Sequence, residues 1–190
     1  MKKIMLFWCL IFSCVFQVSA EVWKGPYSYN NIQSDFVAGY DQKNDPLFIG
    51  LIHSGESNLN ALVVEKGGYV ALRGQKTPSD GQWVVGMLAE KFRGLIYTHK
   101  DKVMHSKHFL VFAPDKPSNY EWRAGEDGSI PAGALRLWRG GEARYICRAK
   151  WRKGIFPGTL DVAQKSCFIT FGGKTRRLFV YEVLIETASL

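Results

Sequence analysis

The chain has 190 residues, of which 46% are hydrophobic, and this is enough for one domain with a sizeable core. It carries 25 lysines and arginines against 17 aspartates and glutamates, which gives a formal net charge of +8 at pH 7. After the first twenty residues no stretch is long and apolar enough to cross a membrane. The composition therefore excludes a protein with several transmembrane helices.

The first predicted element is an export signal at residues 1–20. Lys2 and Lys3 precede an apolar run, and the small residues Val18-Ser19-Ala20 fit a cleavage site. A membrane anchor is the competing interpretation, but the apolar run is short for a span of about 20 residues. We therefore expect cleavage after Ala20 and a secreted, extracellular protein.

Residues 21–118 are predicted to form the first of two β-motifs, a degenerate one with an inserted segment. Leu47-Phe48-Ile49 and the HFLVF run at residues 108–112 both have the composition of strands. Trp83-Val84-Val85 is interpreted as the closing strand of this motif. Residues 113–119 contain two prolines and polar side chains, which indicates a connection to the next motif.

Residues 119–190 are predicted to form the second motif. Short apolar runs such as YICR at residues 145–148 and CFITF at residues 167–171 alternate with turn residues. No window holds an apolar pattern with helical spacing long enough for a confident helix. The sequence therefore predicts an all-β protein.

Two cysteines remain after removal of the export signal, which contains Cys9 and Cys14. An even pair in an exported chain suggests that Cys147 and Cys167 form a disulfide bond. Two buried free thiols are the alternative, because sequence does not show whether the two Cα atoms lie within bridging distance.

The second motif contains a set of elements in a fixed order. A Trp, a Gly-x-Ile-Pro turn, a Tyr-Ile-Cys-Arg-Ala strand and a Gly-x-x-Pro-Gly turn are followed by a Cys-Phe-x-x-Phe-Gly-Gly-Lys segment and a closing Tyr-Glu-Val-Leu. This order resembles the DM-nine repeat, which is known from mannose-binding lectins of invertebrates and from the amino-terminal part of natterin-type fish toxins. The resemblance implies a pseudo-symmetric domain of two tandem motifs built from short antiparallel strands.

The first motif is interpreted as a worn copy of the second, shifted by 98 positions. This shift places Leu47 on Tyr145, Leu62 on Leu160, and residues 74–77 on residues 172–175. One offset sustained over that many positions indicates a duplication.

The resemblance also implies candidate sugar-binding residues. In mannose-binding members, an Asp in a Gly-Tyr-Asp segment and a Lys after the Pro-Gly turn contribute to the sugar site. Asp41 occupies the Asp position in the first motif, although a turn-capping role explains it equally well. The Lys position falls on Ala61 in the first motif and on Thr159 in the second, so mannose binding is not expected to be inherited. Lys174 is retained in the Gly-Gly-Lys turn.

Charge and aromatic residues extend this set of candidates. Residues 134–177 contain eleven lysines and arginines against two acidic residues, which favours anionic partners such as sulfated or sialylated glycans. A solvated strand face is the alternative. Trp138 and Trp151 are each followed by an Arg and are candidates for stacking on a sugar ring, with core packing as the alternative for each. The predicted ligand-binding residues are Asp41, Trp138, Arg139, Trp151 and Lys174.

The sequence gives little support for catalysis. His105 and His108 have a spacing that a metal site can use, but the only nearby carboxylate is Asp101, which favours surface or strand histidines. No nucleophile elbow, zinc-protease motif or phosphate-binding glycine loop is present. We therefore expect no enzyme activity, no metal and no cofactor. Nucleic acid is disfavoured as a partner by export.

These observations predict a secreted, lectin-like protein that binds carbohydrate or another anionic surface ligand in defence or venom. The alternative is a natterin-like toxin, or a protease-type toxin component, that acts at membranes. The basic surface is compatible with peripheral contact with an anionic membrane. A homodimer is also compatible with the sequence.

Overall fold

Antiparallel β-strands make up nearly all of the fold. A computed structural model describes residues 23–28, 34–53, 62–65, 69–72, 83–137 and 143–187. These residues contain fifteen strands and two short 3₁₀ turns, Glu90–Phe92 and Pro117–Asn119. The predicted all-β fold class is confirmed. Among these residues no helix has the length and apolar character needed to cross a membrane. The strands are β1 (Trp23–Ser28), β2 (Gly39–Tyr40), β3 (Pro46–His53), β4 (Leu62–Glu65), β5 (Tyr69–Leu72), β6 (Trp83–Ala89), β7 (Gly94–His99), β8 (Lys102–Ser106), β9 (His108–Phe112), β10 (Tyr120–Glu126), β11 (Arg144–Trp151), β12 (Gly154–Asp161), β13 (Ser166–Phe171), β14 (Lys174–Leu178) and β15 (Val180–Glu186).

Two sets of six strands have the same order. The first set runs β1-β9-β3-β6-β7-β8, and the second runs β10-β15-β11-β12-β13-β14. The short strand β2 pairs with β3 of the first set and with β12 of the second, so the two sets share one thirteen-stranded sheet. The strands β4 and β5 form a separate hairpin. The predicted pseudo-symmetric arrangement of two tandem motifs is confirmed.

Strand register shows which residues of the two motifs are equivalent. Gly86 pairs with Tyr97 in the first motif, and Gly158 pairs with Ile169 in the second. Each residue of the second pair lies 72 positions after its equivalent in the first pair. The same shift of 72 relates β7–β8 pairing to β13–β14 pairing, since Leu95↔Ser106 corresponds to Cys167↔Leu178. Strands β6 to β9 therefore correspond to β12 to β15 without an insertion or deletion.

A shift of 97 relates β3 to β11. Gly50 pairs with Gly86 on one side and with Val111 on the other, and Cys147 pairs with Gly158 and Val183 in the same way. The predicted constant shift of 98 is thus close for this pair of strands. The shift of 98 does not relate the strands that follow β3 to those that follow β11.

The alignment of the motifs beyond β3 needs correction. Leu62 lies in the separate β4–β5 hairpin, whereas Leu160 lies in β12 of the main sheet. The counterpart of the turn at residues 172–175 is the β7–β8 turn at residues 100–103, and residues 74–77 lie outside the described residues. The closing strand of the first motif is β9 rather than Trp83-Val84-Val85. The cause is an insertion: residues 54–82 separate β3 from β6, but only residues 152–153 separate β11 from β12.

Two hydrophobic cores hold the motifs together. One is centred on aromatic residues of the first motif, with the Trp23 and Phe112 ring centroids 5.4 Å apart, and it includes Leu184 of the second motif. The other surrounds Phe156 and includes Leu47 of the first motif. Burial of one large apolar side chain such as Phe112 contributes about 2 kcal/mol to the free energy of unfolding. Because each core contains residues of both motifs, the two motifs fold as one body.

The predicted disulfide bond between Cys147 and Cys167 is confirmed. It joins β11 to β13, the strands on either side of β12, with Cα atoms 6.1 Å apart. The equivalent positions in the first motif are Gly50 and Leu95. A Cβ added at Gly50 would overlap the Leu95 Cδ1 atom, so a leucine packed on a glycine fills the space that the disulfide fills in the second motif.

Candidate functional site

The two motifs meet along β6 and β12, and equivalent residues of the neighbouring strands β7 and β13 touch. The hydroxyl oxygens of Thr98 and Thr170, which are equivalent by the shift of 72, lie 2.9 Å apart. Val85 donates its backbone N–H to the buried Thr159 hydroxyl at 2.9 Å. Contact between equivalent threonines indicates an approximate two-fold relation between the motifs.

A cleft opens at this junction. Its inner part is a hollow of about 240 Å³ between β6, the β7–β8 turn and the ends of β11 and β12. An outer part of about 500 Å³ extends along β14 and shares Asp101, Gln164 and Phe168 with the inner part. We call the two parts together the junction cleft. A space of this size accommodates one or two sugar rings.

The floor of the junction cleft holds an ion pair. The Arg144 guanidinium approaches the Asp161 carboxylate at 3.3 Å, and the Asp161 side chain is only 5% exposed. The backbone N–H of Gln164 donates to Asp161 at 3.0 Å, and the Gln164 side chain lies at 3.4 Å. A buried carboxylate is tolerated because these donors replace the water that it loses.

The mouth of the junction cleft is positively charged. Lys100, Lys174 and Arg177 contribute cations, and Asp101 contributes one carboxylate. Within the described part of the chain, neither Lys100 nor Lys174 has a carboxylate within ion-pair distance. Their ammonium groups are therefore available to donate hydrogen bonds to a ligand.

Many of the other basic side chains of the second motif cover aromatic rings. The guanidinium groups of Arg148 and Arg176 lie 4.5 Å and 5.3 Å from the ring centroids of Trp122 and Trp151. Arg148 also donates to the Glu182 carboxylate at 2.6 Å. The charge excess that the sequence shows is therefore partly structural, whereas Lys100 and Lys174 at the cleft mouth are exposed.

Comparison with known protein families agrees with this architecture. The sequence matches the family model of the DM9 repeat at residues 69–177 and again at residues 138–190, well over half of the chain. The chain belongs to the DM9 repeat family. None of the curated proteins matches it.

Because the chain is a DM9 protein, the position after the Pro-Gly turn can be compared with the lysine that mannose-binding members have there. In the second motif this position is Thr159 on the cleft wall, and strand register puts Met87 at the equivalent position of the first motif. The earlier placement on Ala61 is wrong, because Ala61 precedes β4 of the inserted hairpin. Neither DM9 motif of this chain has a lysine there.

The residues predicted to bind ligand are not brought together at one place. Lys174 lies at the mouth of the junction cleft. Trp151 packs partly buried against the second core, with Arg176 over its ring. Trp138 and Arg139 lie outside the described residues. Sequence reasoning missed Arg144 and Asp161, whose only signal is that they face each other in register across β11 and β12.

Asp41 caps a turn and forms an ion cluster. Its carboxylate accepts the backbone N–H groups of Lys43 at 2.8 Å and Asp45 at 2.9 Å, and it is bonded to the Lys91 ammonium. Lys91 also contacts the Asp45 carboxylate at 2.9 Å. Partial burial raises the pKa of Asp41, but the hydrogen bonds from Lys91 and the two backbone amides outweigh it and hold this pKa below its usual value.

This cluster predicts a specific response to acid. Because the pKa of Asp41 is lowered in the folded state, its stabilising contribution is present above about pH 4 and is lost as the pH falls through the folded-state value. We expect Asp41→Asn to lower the free energy of unfolding at neutral pH and to have a shrinking effect as the pH falls. Urea unfolding of both proteins across the acid range measures this. A difference that stays constant with pH would contradict the assignment.

His105, one of the two candidate histidines, contacts the protein backbone. The Nε2 atom of His105 lies 3.1 Å from the backbone carbonyl oxygen of Phe92. Within the described ranges no group of three His, Cys, Asp or Glu side chains is placed to hold a metal ion.

Proposed function

We propose that the protein is a secreted, lectin-like recognition protein that binds an anionic carbohydrate in the junction cleft. The observation that carries this proposal is the chemistry of the cleft. Arg144 and Asp161 compensate each other at the floor, so Lys100, Lys174 and Arg177 leave an excess of positive charge at the mouth over the single carboxylate of Asp101. Sulfate and carboxylate groups of a glycan are complementary to this charge.

Neutral parts of a sugar also find partners in the junction cleft. Gln164 and Asp101 offer both donors and acceptors for ring hydroxyls. Phe168 is half-buried on the wall and offers apolar surface to the C–H face of a sugar ring. A charged mouth beside a polar and aromatic wall suits a saccharide better than a simple anion.

Binding without catalysis fits the groups of the cleft. The Thr159 hydroxyl accepts from Val85 N–H and lies 3.4 Å from the Val85 carbonyl oxygen, so it is engaged by the backbone. The Asp161 carboxylate is held by Arg144 and Gln164. Both groups are thereby occupied in supporting the cleft. We therefore propose a recognition role in defence or venom rather than an enzymatic one.

Secretion is part of the same proposal. The first twenty residues have the composition of an export signal. The Cys147–Cys167 disulfide is consistent with an oxidising, extracellular compartment.

A glycan array probed with the labelled protein at low and at raised salt tests this function. We expect a small set of sulfated or sialylated glycans to bind and to remain bound at raised salt, because contacts inside a cleft are screened less than surface charge. Uniform binding of all anionic glycans that disappears with salt would contradict a specific site. Silence on every glycan, with leakage from anionic vesicles, would favour the toxin-like alternative.

Removal of one cation at the cleft mouth gives a quantitative test. We expect Lys174→Ala to lower the affinity for the best array glycan about tenfold, the loss of one charge-assisted hydrogen bond. Lys116→Ala is the matched control, since Lys116 is exposed on the β9–β10 connection and does not line the cleft. Calorimetric titration measures both. Equal losses for the two variants would mean that net charge, not the cleft, determines binding.

A further inference from the structure

The two-fold relation between the motifs assigns every residue of the junction cleft a counterpart on the opposite side of β6 and β12. By the shift of 97, Leu47 is the counterpart of Arg144. By the shift of 72, Ala89 is the counterpart of Asp161, which faces Arg144 across β11 and β12. The shift of 72 adds Met87 for Thr159 and Phe92 for Gln164. An ancestral pair of identical motifs would have had two equal clefts.

The counterpart positions of the cleft floor are apolar and closed. Leu47, Met87, Ala89 and Phe156 are at most 5% exposed and belong to the second core. The rings of Phe156 and Phe171 meet edge to face with centroids 5.3 Å apart. A polar ligand therefore finds a packed apolar core where the other side of the junction has a hollow.

One cation on the surface above this closed side is also neutralised. Lys91 lies over the Phe92 ring, with its ammonium 5.5 Å from the ring centroid, and is bonded to Asp41 and Asp45. The carboxylate of Asp41 is thus engaged in a turn and an ion pair. It stabilises the closed side of the junction.

We propose that the chain has a single carbohydrate site, the junction cleft, and that the equivalent position of the other motif has become a closed apolar contact. This inference rests on the proposed function. It adds the stoichiometry, one ligand per chain, and it assigns the opening of the cleft to the four polar residues that the closed side replaces, namely Arg144, Thr159, Asp161 and Gln164.

The closed side supplies the substitutions for a test. Gln164→Phe introduces the counterpart residue at an exposed position of the cleft and is expected to weaken binding of a heparin-derived sulfated disaccharide about tenfold, since it removes polar contacts and fills the opening. The combined variant with Arg144→Leu, Thr159→Met and Asp161→Ala is expected to abolish binding. Phe92→Gln, the reverse change on the closed side, is the control and is expected to leave the affinity unchanged. Amide NMR spectra establish that each variant is folded.

NMR titration of the intact protein with the same disaccharide separates the two levels of the proposal. We expect saturable shift changes at Thr98, Asp161 and Gln164, none at Met87 and Phe92, and one equivalent of ligand at saturation. Saturable changes on both sides, with two equivalents bound, would overturn the single-site inference and leave carbohydrate binding intact. Absence of saturable changes anywhere, with the disaccharide and with the best array glycan, would overturn the proposed function itself and the inference with it.

Discussion

Gly158→Ala is expected to destabilise the protein by about 3 kcal/mol, which approaches the whole stability of a marginal domain. A Cβ at this position would overlap the backbone carbonyl oxygen of Phe168 on the neighbouring strand β13. The oxygen belongs to the strand ladder and does not move without breaking it. Gly86 is the equivalent residue and meets the carbonyl of Ile96, the counterpart of Phe168, in the same way. Gly86→Ala should therefore have a similar effect.

Gly172→Ala is the control for these substitutions. Gly172 has a φ of +60°, and nothing lies within 4 Å of an added Cβ, so only the left-handed backbone conformation is penalised, by about 1 kcal/mol. Denaturant unfolding measured on all three variants gives the comparison. Equal costs at the three glycines would contradict the close approach of the strands, and with it the equivalence of Gly86 and Gly158.

Removal of the disulfide is expected to have an effect of comparable size. Replacement of Cys147 and Cys167 by alanine should lower the free energy of unfolding by about 3 kcal/mol, since the bond closes a loop of 20 residues in the unfolded chain. Both sulfurs are buried, so the lost packing adds to this effect. Urea unfolding of the oxidised wild type and of the double variant measures it.

Reduction of the wild-type protein provides the matched comparison for the disulfide. The reduced protein should unfold at nearly the same denaturant concentration as the double variant. The first motif manages without a disulfide because Leu95 packs over Gly50 at the equivalent place. Identical stabilities of oxidised and reduced protein would show that the second motif is equally independent of its bond.

The fold class and the disulfide were predictable because their signals are local. In β13 the CFITF run and the Gly172-Gly173 turn determine a strand and its end without reference to distant residues. Cys147 and Cys167 are the only cysteines after residue 20. The end of the first motif was not predictable, since the motifs share few identities and the β4–β5 insertion breaks a constant shift.

The junction cleft depends on contacts that the sequence does not display. Its floor and walls come from β6, β7, β11 and β12, and the partners are far apart in the chain, such as Thr98 and Thr170. In the sequence, Arg144 and Asp161 are ordinary charged residues at strand ends. Only the register of β11 and β12 shows that they pair. Only Lys174 was identified beforehand, through the Gly-Gly-Lys turn. Trp151 was a reasonable candidate that packing and Arg176 explain more simply.

The proposed function rests on a difference between the two motifs at their junction. The strands of both motifs form one sheet, and the two sides of the junction between β6 and β12 differ in chemistry. On one side Leu47 and Met87 complete a core, whereas on the other Arg144 and Thr159 line a hollow. Under the proposed function, one side of the junction stabilises the fold and the other side binds the ligand.

The most direct measurement is a crystal structure of the protein with the tightest glycan from the array. We expect one glycan per chain in the junction cleft, with its acidic group within hydrogen-bond distance of Lys100 or Lys174 and its ring against Phe168. A glycan bound beside Asp41, or in both halves of the molecule, would contradict it.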